Sequence, residues 1–208
     1  MESLQLTQYL DSLGKEGIPG CDCVVYQNHQ QVIRHIAGYA DAERKKPLSP
    51  SNIYWLYSAT KLITCTAVLQ LVEKGVVGLD DPVSAFLPEY GKLTVRHGAT
   101  VAAAKVPMTI RHLLTMQSGL NYNLRTPSLI SVLQAAKGEA TTRQVIRALA
   151  KEPLDFEPGT RYQYSLSHDV LGAVIEEVSG QTLGAYVKDH IFTPLGMKNT
   201  GFTLTQDQ

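Results

Sequence analysis

Long apolar runs are missing from this chain of 208 residues. No stretch of about 18 uninterrupted hydrophobic residues occurs, which excludes a membrane-spanning helix by pattern. A surplus of one charge is missing too. The 19 Lys and Arg cancel the 19 Asp and Glu, and no basic run stands out, so neither nucleic acid nor a membrane surface is expected as a partner. Cysteine is scarce. Cys21, Cys23 and Cys65 are odd in number and sit among apolar residues, which excludes a disulfide scaffold. The amino terminus, Met1-Glu2-Ser3-Leu4-Gln5, lacks the basic region and apolar stretch of a secretory signal, and a cytoplasmic location is the expectation. Cys21-x-Cys23 with His29 and His35 departs from finger and ribbon spacing, so no metal site is expected there. The six histidines show no ligand spacing and read as surface or capping residues. Phosphate-binding glycine loops, the dinucleotide fingerprint and the Gly-x-Ser-x-Gly elbow are all absent.

What remains is a globular composition, 44% hydrophobic and 18% charged, in a chain long enough to bury a core of its own. Leu6, Tyr9, Leu10 and Leu13 recur at helical spacing and predict an opening helix, broken by Gly17-Ile18-Pro19-Gly20. Cys21 to Tyr26 and Val32 to Ala37 read as a hairpin turning at Gln27-Asn28-His29-Gln30. From Thr60 to Lys74 almost no polar face is left, which predicts a buried central helix closed by Gly75. Residues 80–150 read as short helices and loops. A helix over Thr109–Thr115, Thr126-Pro127 as a cap followed by proline, and a capping box at Thr141-x-x-Gln144 mark that stretch. Two further helices are expected, from Ser167 to Val178 and from Leu183 to His190. The order predicts an α/β fold with a helical insertion.

Ser58-Ala59-Thr60-Lys61 stands at the mouth of the apolar helix. A hydroxyl there lies near the positive end of the helix dipole, and Lys61 falls on the same face one turn deeper. An ammonium in apolar surroundings is costly without a partner. It is either pushed toward neutrality, to accept a proton, or kept charged, to acidify a neighbouring phenol. The same residues also fit a helix cap followed by a lysine that snorkels to water. A second pair of this spacing, Ser12 and Lys15, lies at the end of a polar helix and is set aside. Tyr164, just before the helix that starts near Ser167, is the candidate phenol, although an ordinary half-buried tyrosine reads the same way.

The run Ile53-Tyr54-Trp55-Leu56-Tyr57-Ser58-Ala59-Thr60-Lys61 resembles the nucleophile segment of the penicillin-recognising serine hydrolases. These are class C β-lactamases, D-Ala-D-Ala carboxypeptidases and esterases of the β-lactamase fold. Thr109-Ile110-Arg111-His112-Leu113-Leu114-Thr115-Met116-Gln117-Ser118-Gly119-Leu120 is similar to a further family stretch. So are Phe156-Glu157-Pro158-Gly159-Thr160 and Ile191-Phe192-Thr193-Pro194-Leu195-Gly196-Met197, in the same order. The resemblance implies a β-lactamase-like domain, an antiparallel sheet with flanking helices and a helical insertion. It implies Ser58 as nucleophile, with Lys61 and Tyr164 handling the proton, and no metal or organic cofactor. A single domain over 1–208 is expected, divided into 1–56 (helix and hairpin), 57–160 (central helix and helical region) and 161–208 (return helices).

Two departures bear on function. Where the family has Tyr-x-Asn, this chain has Tyr164-Ser165-Leu166. Leu166 cannot bond a substrate amide, which favours esters. The family's third motif, Lys-Thr-Gly or His-x-Gly on a late strand, has no counterpart, since only 11 residues follow Met197 and Lys198-Asn199-Thr200-Gly201 is a look-alike. The expected fold is therefore incomplete, lacking its carboxy-terminal strands and helix. The expected function is a serine hydrolase, an esterase acting on a small-molecule ester or amide through an acyl-enzyme. A β-lactamase or D-amino-acid peptidase, and an inert or complementing fragment, stand as alternatives. A homo-oligomer or a missing carboxy-terminal half is left open as partner.

Overall fold

A computed structural model describes residues 2–203, with the side chains of Glu2 and Ser3 left out. The chain divides into two compact units, one ending at Trp55 and one beginning at Leu56.

The first unit holds α1 (Glu2–Ser12), β1 (Gly20–Gln27) and β2 (Gln30–Gly38). The strands pair antiparallel, Gly20 opposite Gly38 and Gln27 opposite Gln30, with a register shift between Val25 and Tyr26. Asn28 and His29 take φ values of 51° and 61°, as a two-residue hairpin turn matched to the strand twist requires.

The second unit is mainly helical. Its elements are α2 (Thr60–Glu73), β3 (Thr94–His97), β4 (Thr100–Ala103), α3 (Ile110–Leu114), α4 (Pro127–Ala135), α5 (Thr142–Leu149), α6 (Ser167–Ser179) and α7 (Leu183–Val187). A π-helical turn, Lys188–Phe192, continues α7. Local chemistry sets most of these limits. Gly75, at φ 69°, closes α2: its N–H donates to the Val72 carbonyl and that of Val76 to the Leu71 carbonyl, a Schellman end. Thr109 and His112 cap α3 reciprocally, and Thr141 and Gln144 do the same for α5. The Thr126 hydroxyl caps α4 ahead of Pro127.

Two sequence expectations need correction. Residues 80–150 contain a β-hairpin, β3–β4, with Thr94 opposite Ala103. It is joined to the 154 region, where the Leu154 N–H donates to the Thr94 carbonyl at 2.7 Å. The helix buried around its circumference is α6, whose residues Val170 to Ile175 are all buried. α2 buries Thr64, Ala67, Val68 and Leu71 and leaves Leu62 74% exposed and Leu69 50% exposed. Uniform apolarity told that α2 has no preferred wet face. It did not tell which faces its neighbours cover. α6 packs against α2, α3, α5 and α7 and forms the axis of the core with Leu113, Ile146, Leu149 and Val187. Burial of that apolar surface is the main force holding the second unit together.

Candidate active site

Ser58 lies in a 3₁₀ turn, Tyr57–Ala59, that runs directly into α2. The first turn of α2 has no side-chain cap; the 3₁₀ turn leads into it instead, with the Thr60 N–H donating to the Tyr57 carbonyl. The preceding Tyr57 has φ 44°, a left-handed backbone uncommon for a residue with a large side chain. Strain of this kind, about 1–3 kcal/mol, tends to collect at functional turns. Ser58 is exposed and Lys61, one turn on, is partly buried.

Tyr164 arrives from the segment that leads into α6, and backbone bonds on both sides hold it. The Gln163 N–H donates to the Met116 carbonyl at 2.9 Å and the Leu166 N–H to the Asn121 carbonyl at 3.1 Å. Beneath it lies a dry cluster of hydroxyls. Ser167 Oγ sits 2.8 Å from Ser118 Oγ and 2.7 Å from Ser165 Oγ, and all three serines are buried. A satisfied polar network in such a place specifies one arrangement, because any other leaves hydroxyls unpaired.

The result brings the three predicted residues together. Ser58 Oγ and Tyr164 Oη are 2.6 Å apart, within hydrogen-bond range with either as donor. Lys61 Nζ lies 5.1 Å from the centre of the Tyr164 ring. Charge follows the geometry. The hydrogen bond with Ser58, then the interaction with the Lys61 ammonium, lower the Tyr164 phenol below its ordinary value against desolvation and the repulsion of Asp169. Desolvation pulls Lys61 down, yet its contact with Tyr164 and the electrostatics of Tyr122 and Asp169 outweigh that and hold the ammonium above its ordinary value. Of the two roles open to the lysine, the balance favours the charged one. Desolvation raises the Asp169 carboxyl, in the first turn of α6, and the Lys61 charge opposes that.

Several neighbours were not legible in the sequence. Tyr122 stacks on Tyr164, and Asp169 adds a carboxylate facing Lys61. His168 is neither surface nor cap. It is half-buried, with Nε2 3.3 Å from the Leu114 carbonyl and 3.5 Å from Cys65 Sγ. Leu166 points into the core, so the position that departs from Tyr-x-Asn presents no side chain to the site. The literal Tyr-x-Asn string of this chain, Tyr26-Gln27-Asn28, ends in the β1–β2 turn, and Lys198–Gly201 lies in turns and irregular backbone. A separate cavity, lined by Pro88, Glu89, Arg143, Arg147, Ala150 and Lys151, includes none of the three residues. Among the described residues, no three His, Cys, Asp or Glu side chains gather as a metal cluster, and no helix is long and apolar enough to cross a membrane.

Comparison with known proteins agrees with this architecture. A family model described as Beta-lactamase matches residues 6–208. Esterase EstB of Burkholderia gladioli is 36% identical over 204 residues, which covers 95% of this chain and 50% of that protein. The structure of EstCE1, described as a hydrolase with promiscuous acyltransferase activity, superposes with a TM-score of 0.83 at 31% identity, covering 98% of this chain and 54% of that one. The octameric penicillin-binding protein homologue from Pyrococcus abyssi superposes with a TM-score of 0.75 at 28% identity, covering 100% of this chain and 46% of that one. The chain thus spans about half the length of these relatives.

Proposed function

The chain belongs to the β-lactamase family, and from that premise we propose that it carries the acylating machinery of a serine hydrolase whose substrates are small-molecule esters. Tyr164, in its phenolate form beside the Lys61 ammonium, takes the Ser58 proton as Oγ attacks the ester carbonyl. The Ser58 amide, at the positive end of α2, receives the developing oxyanion. The tetrahedral intermediate then collapses. The ester C–O bond breaks, the leaving alkoxide takes the proton back from Tyr164, and Ser58 remains acylated. Water or an alcohol releases the acyl group by the reverse proton route.

One observation carries the reading: nucleophile and base hydroxyls 2.6 Å apart at the mouth of a helix. Similarity to a protein named esterase, at the identity given above, favours the ester over the amide. In the resembling family a late strand supplies the second oxyanion donor. Acylation by an activated ester is therefore the step assigned to these residues. The free cysteines suit a reducing compartment, the cytoplasm.

Intact-mass spectrometry of the chain after exposure to p-nitrophenyl butyrate tests this. A single butyryl adduct is expected on the wild type and none on Ser58→Ala. An adduct that persists in Ser58→Ala, or a wild-type chain that stays unmodified at millimolar ester, overturns the reading. Faster labelling of Ser58 by a fluorescent penicillin than by the ester would move the substrate class to β-lactams.

A further inference from the structure

We propose that Tyr122 is a positioning residue of this site: its ring and that of Tyr164 form a two-sided aromatic cage that holds the Lys61 ammonium against the base, and Asp155 sets the spacing of the two tyrosines. The inference rests on the reading of Ser58, Lys61 and Tyr164 given above.

The geometry of the cage is direct. Lys61 Nζ lies 5.4 Å from the Tyr122 ring centre and 5.1 Å from that of Tyr164. Both distances fall within the ~6 Å reach of a cation–π contact. The rings stack on each other with centres 5.3 Å apart and an interplanar angle of 29°. Neither is a core tyrosine, Tyr122 being 46% exposed and Tyr164 42%. Their contact is thus not a by-product of core burial.

The two segments are tied by a single carboxylate. Asp155 Oδ1 accepts from Asn121 Nδ2 at 3.3 Å, and Oδ2 accepts from Gln163 Nε2 at 2.6 Å. Asn121 immediately precedes Tyr122 and Gln163 immediately precedes Tyr164, so the clasp acts on the residue before each ring. The Asn121 carbonyl accepts the Leu166 N–H, and Asn121 Oδ1 accepts the Asn123 N–H at 3.0 Å, which turns the chain at Tyr122. Every side-chain and backbone polar group of Asn121 named here is engaged in holding Tyr122 beside Tyr164.

The charged and titratable groups facing the pair are Ser58 from the 3₁₀ turn, Lys61 from α2, Tyr122 from its loop, and His168 and Asp169 from α6. The electron-rich face of Tyr122 stabilises the ammonium, and the ammonium in turn favours the Tyr164 phenolate. Loss of the ring leaves Lys61 freer to swing toward water, and the phenol then releases its proton at higher pH.

The test uses the full 208-residue chain labelled with ¹³Cζ-tyrosine, with the Tyr164 resonance assigned by Tyr164→Phe. Its pH titration is followed in the wild type, Tyr122→Leu, Tyr122→Met and Tyr122→Phe, each checked for native unfolding behaviour. In Tyr122→Leu and Tyr122→Met the Tyr164 titration is expected to move to higher pH, and acylation near neutrality to slow about fivefold. Tyr122→Phe, which restores the ring, is expected to return both to wild type. A Tyr164 titration that is depressed in the wild type and unchanged in Tyr122→Leu and Tyr122→Met overturns the inference and leaves the hydrolase reading standing. A wild-type Tyr164 that titrates as an ordinary tyrosine overturns both.

Discussion

Ser58 and Tyr164 are separated by 106 positions, and their hydroxyl oxygens lie 2.6 Å apart. One precedes α2 by a single residue of 3₁₀ turn and the other precedes α6 by two residues, so the contact places the positive ends of two helices side by side. Two such ends favour negative charge between them, first as phenolate and then as oxyanion. α2 and α6 pack on each other, and the core beneath thereby sets the meeting of Ser58 and Tyr164.

The pH dependence of acylation follows from the Lys61–Tyr164 pair. In the proposed mechanism Tyr164 acts as phenolate, which is present above its own lowered pKa, so the rate is expected to rise with pH through that value. Removing the ammonium in Lys61→Met takes away one of the two interactions that lower the phenol. The rising limb is expected to move to higher pH, and acylation at pH 7 to fall about 100-fold or more. A pH profile of adduct formation checks this, and an unmoved limb would show that the lysine does not tune the base.

Ser167→Ala probes the hydroxyl cluster. Ser118 and Ser165 lose their shared partner in a site closed to water. The expected loss is ~1–3 kcal/mol, read as a lower urea midpoint at unchanged m value.

Gly119→Ala probes the turn between α3 and the Tyr122 loop. Gly119 has φ 84°, and a Cβ there would stand 2.2 Å from the Phe156 carbonyl oxygen. Backbone contacts of this kind do not yield to side-chain rotation. A loss above ~2 kcal/mol is expected by chemical unfolding, and a midpoint within error of wild type would contradict it.

Leu113→Ala empties a fully buried position under α6. A loss of ~2–5 kcal/mol is expected in the same unfolding experiment, with the upper part of the range if the surrounding side chains do not collapse into the space.

Local chemistry was what the sequence made legible. Ser58 and Lys61 stand one turn apart, Thr141–Gln144 closes on itself within three residues, and Gly75 answers only to its own helix end. Tyr164 stood out only as a phenol just ahead of a predicted helix, a place an ordinary tyrosine also fills, and its role as base was what the resemblance implied. The clasp of Asn121, Asp155 and Gln163 joins three polar residues from separate segments, and polar residues in loops look alike until the fold brings them together. β3 and β4 escaped notice because each is four residues long and shows little apolar alternation. The exposure of Leu62 and Leu69 shows the same limit from the other side: hydrophobicity records a preference for burial, and only the neighbours present decide whether it is met.

Cys65 of α2 faces α6, with Sγ 3.5 Å from His168 Nε2, and burial holds its thiol above the ordinary value. A sulfhydryl kept protonated and sheltered reacts sluggishly with alkylating reagents until the helices part. In a variant carrying Cys21→Ser and Cys23→Ser, the speed of maleimide capture therefore becomes a clock for how often the scaffold under Ser58 and Tyr164 breathes, read without any substrate.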